Sequence, residues 1–405
     1  MKVWIKSCND SMLIIALAGR FTSDTSEQAE AGLNELLTAY PNRKICLDFS
    51  EVEYISSAGL RCLLRIKKER QTNMAFIEVS NEVYDVFEMT GVLQLFSVRR
   101  KIREISLDGC EIIGSGANAT VYRLDKDTIV KIYKPGTPFY MYDRECEIAQ
   151  RAFLDGIPTA ITYRNIVRCG DQYGILFEMI KSEPFTRLIR NQPLNFEIYM
   201  KQYVDLLREL HSVEADPNFY PSCKQLYKKF ILQSREWYSE EELQKLLYLV
   251  DSIPDCRTLV HGDFHAKNIM MSDGKLMLID MISMSYGHPV FDLMSMTTIM
   301  YTLMVTDPEK VEAYNEIPCD LLRKIWNRFV ELYFNVSGQE AIDQVSNKLQ
   351  RISLLRTAVM PAIAKGLDRE TLQHFVDVCR QHLLPYIEKI PEDIRTLDIL
   401  SSGKA

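Results

Sequence analysis

The segment from His261 to Asp280 constrains this chain more than any other. It runs His261-Gly262-Asp263-Phe264-His265-Ala266-Lys267-Asn268, then Ile269-Met270-Met271, Ser272-Asp273-Gly274, Lys275-Leu276-Met277-Leu278-Ile279 and Asp280. Residues 269–271 and 276–279 are short apolar runs of strand character. The Asp-Gly pair between them tolerates the positive φ that a tight hairpin turn requires. Such a hairpin returns on itself and brings its two ends together, so Asn268 and Asp280 meet there. An amide oxygen and a carboxylate are hard donors suited to Mg²⁺. Asp263 stands five residues before Asn268, on the loop leading in, where a carboxylate can take the proton of a substrate hydroxyl. An Asp-rich loop that merely caps helices is the plainer reading, but motif and hairpin context agree against it.

A second constellation lies upstream. Ile113-Gly114-Ser115-Gly116-Ala117-Asn118-Ala119-Thr120-Val121-Tyr122 sits between two strand patterns. Glycines let a backbone close over phosphates and present N–H groups to them, although a plain hairpin fits this stretch equally well. The spacing to Ile129-Val130-Lys131, a strand-like run ending in a cation, adds weight. A helical pattern follows over 143–150, and a buried lysine needs a carboxylate partner from it. Glu145 is favoured by its offset from Ile148, with Glu147 second; either one also suits a solvated helix face.

These residues resemble the aminoglycoside phosphotransferase family and its choline-kinase and fructosamine-kinase relatives, whose motif is HGDxHxxN followed by a strand ending in Asp. The resemblance covers about residues 108–405. It implies Asp263 as catalytic base, Asn268 and Asp280 as magnesium ligands, and His261 and His265 as supports of the loop. It also implies ATP as phosphoryl donor, with Gly114 and Gly116 over its phosphates, Lys131 paired with Glu145, and backbone groups from Glu178 to Ile180 on adenine. Ile113, Val121, Ile129, Met270 and Ile279 would sandwich the base. Ala119 stands where a kinase glycine loop has its third Gly. In the segment 287–292 (Gly-His-Pro-Val-Phe-Asp), His288 replaces a customary Asp, and Asp292 is expected to cap a helix over 293–305 and to brace the catalytic loop. Three departures separate the chain from protein kinases. Gly262 replaces an Arg, Met281-Ile282 replaces Phe-Gly, and only eleven residues lie between Asp280 and Asp292. Without a long activation segment, a small-molecule hydroxyl acceptor is expected. Polycationic acceptors need clustered acids. The helical region offers Glu331, Glu340, Asp343, Asp368 and Glu370 interleaved with Lys324, Arg328, Lys348, Arg351 and Arg356, all read as solvated surface.

Residues 1–100 follow another plan. Apolar runs at 12–18, 44–49 and 75–79 alternate with helical spacing over 25–39 (Ala29, Leu33, Leu36, Leu37), 57–70 (Leu60, Leu63, Leu64, Ile66) and 81–89. Strands alternating with helices imply a sheet with helical crossovers. Asp48-Phe49-Ser50, a loop, and Ser56-Ser57-Ala58-Gly59-Leu60 resemble STAS domains of anti-sigma factor antagonists, and so does Gly19-Arg20-Phe21 after the second strand. The resemblance places Ser57 on the phosphorylated Ser, with Ser56 replacing Asp and Ala58 replacing Ser. A phosphate there would meet the positive end of a helix; a simple N-cap is the plainer role.

Ten cysteines are scattered singly without a CxxC pair and read as reduced thiols; no long apolar run suggests a leader or a membrane span. The net charge of −7 without a basic block argues against a nucleic-acid partner. The expectation is a bacterial, cytoplasmic protein with an α/β STAS domain (1–100), a linker (101–107) and an α+β bilobal protein kinase-like domain. The latter divides into an N-lobe (108–180) and a helical C-lobe (181–405). Its activity is ATP- and Mg²⁺-dependent phosphoryl transfer to a small-molecule hydroxyl, with the STAS domain regulatory or open to a protein partner. The alternative is a signalling protein whose kinase-like domain phosphorylates Ser57 or a partner.

Overall fold

The computed structural model describes residues 1–399 except 10, 11, 42, 71–73, 117 and 365, with Arg164 described through its backbone alone. Ala117 of the glycine-rich stretch therefore lies outside the described residues. The chain divides into two compact units, residues 1–106 with 166–173, and residues 107–165 with 174–405.

The first unit is a five-stranded sheet in the order β1-β2-β3-β4-β5, with β1 Lys2–Cys8, β2 Met12–Phe21, β3 Lys44–Ile55, β4 Met74–Val79 and β5 Ser97–Arg100. β1 runs antiparallel to β2, and the later neighbours pair in parallel. Parallel neighbours need crossovers, and helices α1 Ser23–Ala39, α2 Ser57–Arg70 and α3 Asn81–Met89 supply them. The core collects Leu13, Ile15, Leu17, Leu47, Phe49, Phe76, Phe87 and Phe96. On α1, Ala29, Leu33 and Leu37 are buried and Leu36 is half-buried. On α2 the buried stripe is Gly59, Leu60, Cys62, Leu63 and Ile66, with Leu64 half-buried at its edge. Cys62 behaves as a small apolar residue, so its thiol supplies core surface that the leucine pattern alone does not count. A Cβ on Gly59 would come within 2.8 Å of the Phe21 ring and 2.9 Å of Ile55, so α2 packs too closely here for any side chain.

The second unit begins as an antiparallel sheet in which Glu111–Ser115, Ala119–Arg123, Thr128–Tyr133 and residues 174–178 are successive neighbours. Helix α4, Phe139–Leu154, follows the third of these strands. After residue 184 the chain is mainly helical. The exceptions are a three-stranded sheet of Ser182–Pro184, Ile269–Ser272 and Lys275–Leu278, and the pair Leu259–Val260 with Ser285–Tyr286. Fully buried aromatics, among them Tyr203, Phe264, Trp326 and Phe329, fill the helical part. An α/β unit and a mixed α+β unit are thus both present. The helix expected over 293–305 starts earlier and is interrupted: Val290–Thr297, then a π-turn over Thr298–Thr302, then Leu303–Thr306. Among the described residues no helix is long and apolar enough to cross a membrane.

Candidate functional site

The Asp-Gly hairpin forms as its residues dictate. Asp273 and Gly274 both hold positive φ (48° and 78°), and the strands pair Ile269 with Leu278 through Ser272 with Lys275. The Ile279 amide donates to the Asn268 carbonyl at 3.0 Å, which closes the hairpin's open end and leaves Asp280 beyond it. Asp280 itself adopts a left-handed backbone (φ 64°). Its Oδ1 lies 2.8 Å from Lys131 Nζ, and the same Nζ lies 2.7 Å from Glu145 Oε1. Lys131 is thereby held between the sheet, α4 and the hairpin. Burial alone would lower its pKa, but Glu145 and Asp280 outweigh that and keep it charged above the ordinary lysine range. Of the two glutamates, Glu145 is buried against Lys131, while Glu147 is half-buried and pairs with Arg144 at 3.6 Å. The Tyr133 hydroxyl donates to the second oxygen of Glu145, so both carboxylate oxygens are fixed.

The loop from residue 261 to 268 is tied down along its length. Phe264 is fully buried with its ring 5.3 Å from that of Tyr203, which anchors the loop in the helical core. His261 Nε2 donates to the Ile279 carbonyl (3.1 Å), and its Nδ1 accepts the Asp263 amide (3.3 Å). His265 Nδ1 accepts the Lys267 amide (3.3 Å). Gly262 has φ 80°, and a Cβ on it would lie 2.5 Å from the Ser283 carbonyl oxygen, so no larger residue fits where a protein kinase carries Arg. Asp292 is a correction. It sits inside the first turn of Val290–Thr297, fully buried, and does not cap that helix. Its carboxylate instead accepts the His261 amide (2.9 Å), the Gly262 amide (2.6 Å) and His211 Nε2 (3.1 Å). An Asp ahead of an apolar run looks like a cap in sequence; here the loop amides 30 residues away compete for it and win.

Asp263 Oδ1 accepts Ser295 Oγ and Arg356 Nη2, each at 3.0 Å. Its Oδ2 has only longer neighbours, His265 Nε2 at 3.5 Å and Asn268 Nδ2 at 3.4 Å. Burial opposes ionisation of this carboxyl, but the hydrogen bond to His265 and the charges of Arg356, His265 and His261 prevail and hold it well below the usual carboxylate range. Asn268 gives its amide nitrogen to the Asp263 carbonyl (2.9 Å), which turns its oxygen the other way. That oxygen and the half-exposed Asp280 carboxylate are hard donors of the kind that could hold Mg²⁺. Among the described residues no three His, Cys, Asp or Glu side chains form a self-sufficient metal cage.

In the glycine-rich stretch, Gly114 lies in a strand beside a register bulge, and the Gly116 amide donates to the Ala119 carbonyl (2.9 Å). Neither needs positive φ, and a Cβ on either would meet only ordinary contacts, so their contribution is clear space rather than backbone freedom. In the segment 178–180, the Glu178 amide donates to the Ile161 carbonyl and the Met179 amide to the Asp127 carbonyl (3.0 and 2.7 Å), while the Ile180 carbonyl accepts Ser182 Oγ (3.3 Å). Val121, Ile129, Met270 and Ile279 are half-buried and Ile113 is 40% exposed, the surface expected of slot walls rather than a sealed core. In the first unit Ser57 is exposed as the first residue of α2. The capping oxygen belongs to Ser56, whose Oγ receives the Gly59 amide at 3.5 Å.

Two contacts had no local signal. Ser295 and Arg356 reach Asp263 from 32 and 93 residues away, and Arg356 is no solvated surface cation. The description "Phosphotransferase enzyme family" matches residues 109–322. The chain belongs to that family. The phosphotransferase carries an N-terminal STAS domain: "Mlab, STAS domain" matches residues 6–98. Over 92 residues the phosphotransferase is 38% identical to the anti-sigma factor antagonist BtrV of Bordetella bronchiseptica, covering 22% of this chain and 78% of that protein. Among solved structures it is similar to the ADP-bound aminoglycoside phosphotransferase APH(2'')-Ib (17% identity, TM-score 0.44, covering 75% of this chain and 98% of that one). It is also similar to a choline/ethanolamine kinase family protein from Mesorhizobium loti (13% identity, TM-score 0.43, 71% and 92%).

Proposed function

We propose that the second unit transfers the γ-phosphoryl group of ATP to a hydroxyl of a small molecule, with Asp263 as base, and that the STAS domain regulates it or docks a partner. The observation that carries this reading is the continuous contact Glu145–Lys131–Asp280, at 2.7 and 2.8 Å, which joins a phosphate-holding cation to a metal carboxylate. Asn268 and Asp280 would hold Mg²⁺, which when bound neutralises charge on the phosphate oxygens. Lys131 would orient the α- and β-phosphates, under the backbone of Gly114 and Gly116. Backbone groups at Glu178 and Ile180 would take adenine. With Oδ1 of Asp263 occupied by Ser295 and Arg356, the freer Oδ2 receives the hydroxyl proton. The acceptor oxygen then forms its bond to the γ-phosphorus as the bond from that phosphorus to the bridging oxygen breaks, and ADP leaves with the electron pair. Asp263→Ala should lower turnover at least about 10³-fold, yet leave nucleotide affinity within a few fold. Steady-state kinetics beside nucleotide titration checks this, and surviving turnover would remove Asp263 from the role.

A second reading draws on Ser57. Its hydroxyl is exposed at the start of α2 while Ser56 does the capping, so a phosphate there would sit at the positive helix end without displacing a cap. In this reading the kinase-like unit phosphorylates Ser57 or a partner protein in a switch of the antagonist type.

A further inference from the structure

The acceptor side of Asp263 is walled by cations and phenols, not by carboxylates. Arg356, from the helix Gln339–Ala358, spends one N–H on Asp263 Oδ1 (3.0 Å) and one on the Gly262 carbonyl (3.3 Å). A guanidinium has five N–H donors, and this one keeps 22% of its side-chain surface open. Lys267, on the catalytic loop itself, holds its Nζ 4.7 Å from the centre of the Tyr314 ring. Tyr314 is 42% exposed, and its hydroxyl lies 3.5 Å from His265 Nε2. Burial, together with the charges of Asp263 and Asp280 and against that of Arg356, raises the Tyr314 phenol above its ordinary range, so it stays a neutral hydroxyl beside Lys267. Tyr227 also hydrogen-bonds the Arg356 guanidinium. Of the acids on the Tyr314 helix, Glu312 is turned to the Cys319 amide (2.7 Å).

We propose that Arg356 and Lys267 bind an anionic group, and that the acceptor of the phosphotransferase is a hydroxylated carboxylate or phosphate ester. This rests on the reading of Asp263 as base. The wall has two cations against one carboxylate that is already paired, since Asp280 faces Lys131. An ammonium brought close to either cation meets like-charge repulsion, whereas a carboxylate or phosphate gains a fork of charge-assisted bonds. An anion on the open edge of Arg356 leaves the neighbouring hydroxyl at Asp263 Oδ2. The hydroxyl proton passes to Asp263 Oδ2, the substrate oxygen bonds to the γ-phosphorus, and the bond from that phosphorus to the bridging oxygen breaks, with ADP leaving with the electron pair.

The test uses the full-length protein with matched probes: glycerate and glycerol 3-phosphate as anions, glycerol as neutral analogue, choline and kanamycin as cations. Binding is measured calorimetrically with Mg²⁺ and a non-hydrolysable ATP analogue, and ADP release is followed in parallel with ATP. At least one anion should bind ten-fold or more tightly than glycerol. Lys267→Gln and Arg356→Gln should each weaken it at least ten-fold, with Arg356→Lys recovering part of the loss. The carboxylate and phosphate arms decide which anion the wall prefers. Should glycerol, choline or kanamycin bind as well as both anions, or should Lys267→Gln leave the preference intact in a normally folded protein, the inference fails. Phosphorylation of kanamycin or choline with no response to either anion overturns the inference and keeps the phosphotransferase reading. Lys267-dependent anion binding without ADP release from any probe keeps the subsite and overturns the transfer reading.

Discussion

At the scale of the residue, the catalytic loop depends on positions where one side chain alone fits. Gly262 is the sharpest case: its left-handed backbone and the Ser283 carbonyl 2.5 Å from a notional Cβ forbid even alanine. Gly262→Ala should cost about 2–4 kcal/mol and lower turnover at least about 100-fold, because any relaxation moves Asp263. Thermal unfolding and kinetics on the same sample check both; a variant with unchanged melting and turnover would contradict the geometry. Residues of this kind were legible where their partners are close in sequence. Asp263, Asn268 and Asp280 fall within one loop and one hairpin, and Lys131 and Glu145 lie a strand and a helix apart. Arg356 was unreadable, since an Arg between Leu355 and Thr357 carries no mark of the loop it meets 93 residues earlier. Asp292 was half-legible: its link to the loop followed from motif spacing, but the choice between helix cap and loop brace needed the fold.

At the scale of the element, the helix Val290–Thr297 carries both Asp292 and Ser295, so its start governs two contacts of the loop. His288 holds that start, its Nδ1 accepting the Val290 amide at 3.2 Å. Burial, with smaller effects from His211 and Lys224, pushes the imidazole down to about 4. The folded state favours the neutral ring, so the unfolded chain takes up the proton first. Stability from this group is complete above about pH 6.5, declines as pH falls toward 4, and is absent below that. Between pH 6.5 and 4.5 the native protein should lose about 2–3 kcal/mol that His288→Asn does not lose. Urea unfolding at several pH values measures it, and parallel curves for the two proteins would refute the assignment. The sequence foretold a helix here but not its early start or its π-turn. Apolar periodicity marks the middle of a helix, whereas its ends follow from what the flanking loop must bond.

At the scale of the whole molecule, two units with separate cores share one chain, and the two readings of its function differ in where phosphate goes. Incubation of the full chain with Mg·ATP followed by intact-mass measurement separates them. Self-transfer to Ser57 adds one phosphate that Ser57→Ala removes. A metabolite kinase leaves the mass unchanged and consumes ATP only when an acceptor is supplied. The alternation of strands and helices in the first hundred residues was plain in sequence because parallel pairing demands crossovers. The leading strand, Lys2–Cys8, was not, as most of its surface is open to solvent and it lacks a full apolar face.

The short stretch between Asp280 and Asp292 has a consequence for how such an enzyme can be switched. In kinases with a long mobile segment, modification of that segment swings the machinery between working and idle postures. Here the equivalent stretch ends in a carboxylate clamped to the His261 and Gly262 amides beside Asp263, inside the interior. Loosening that clamp would unfold the neighbourhood instead of toggling it. A switch acting on this stretch would therefore cost folding stability along with activity.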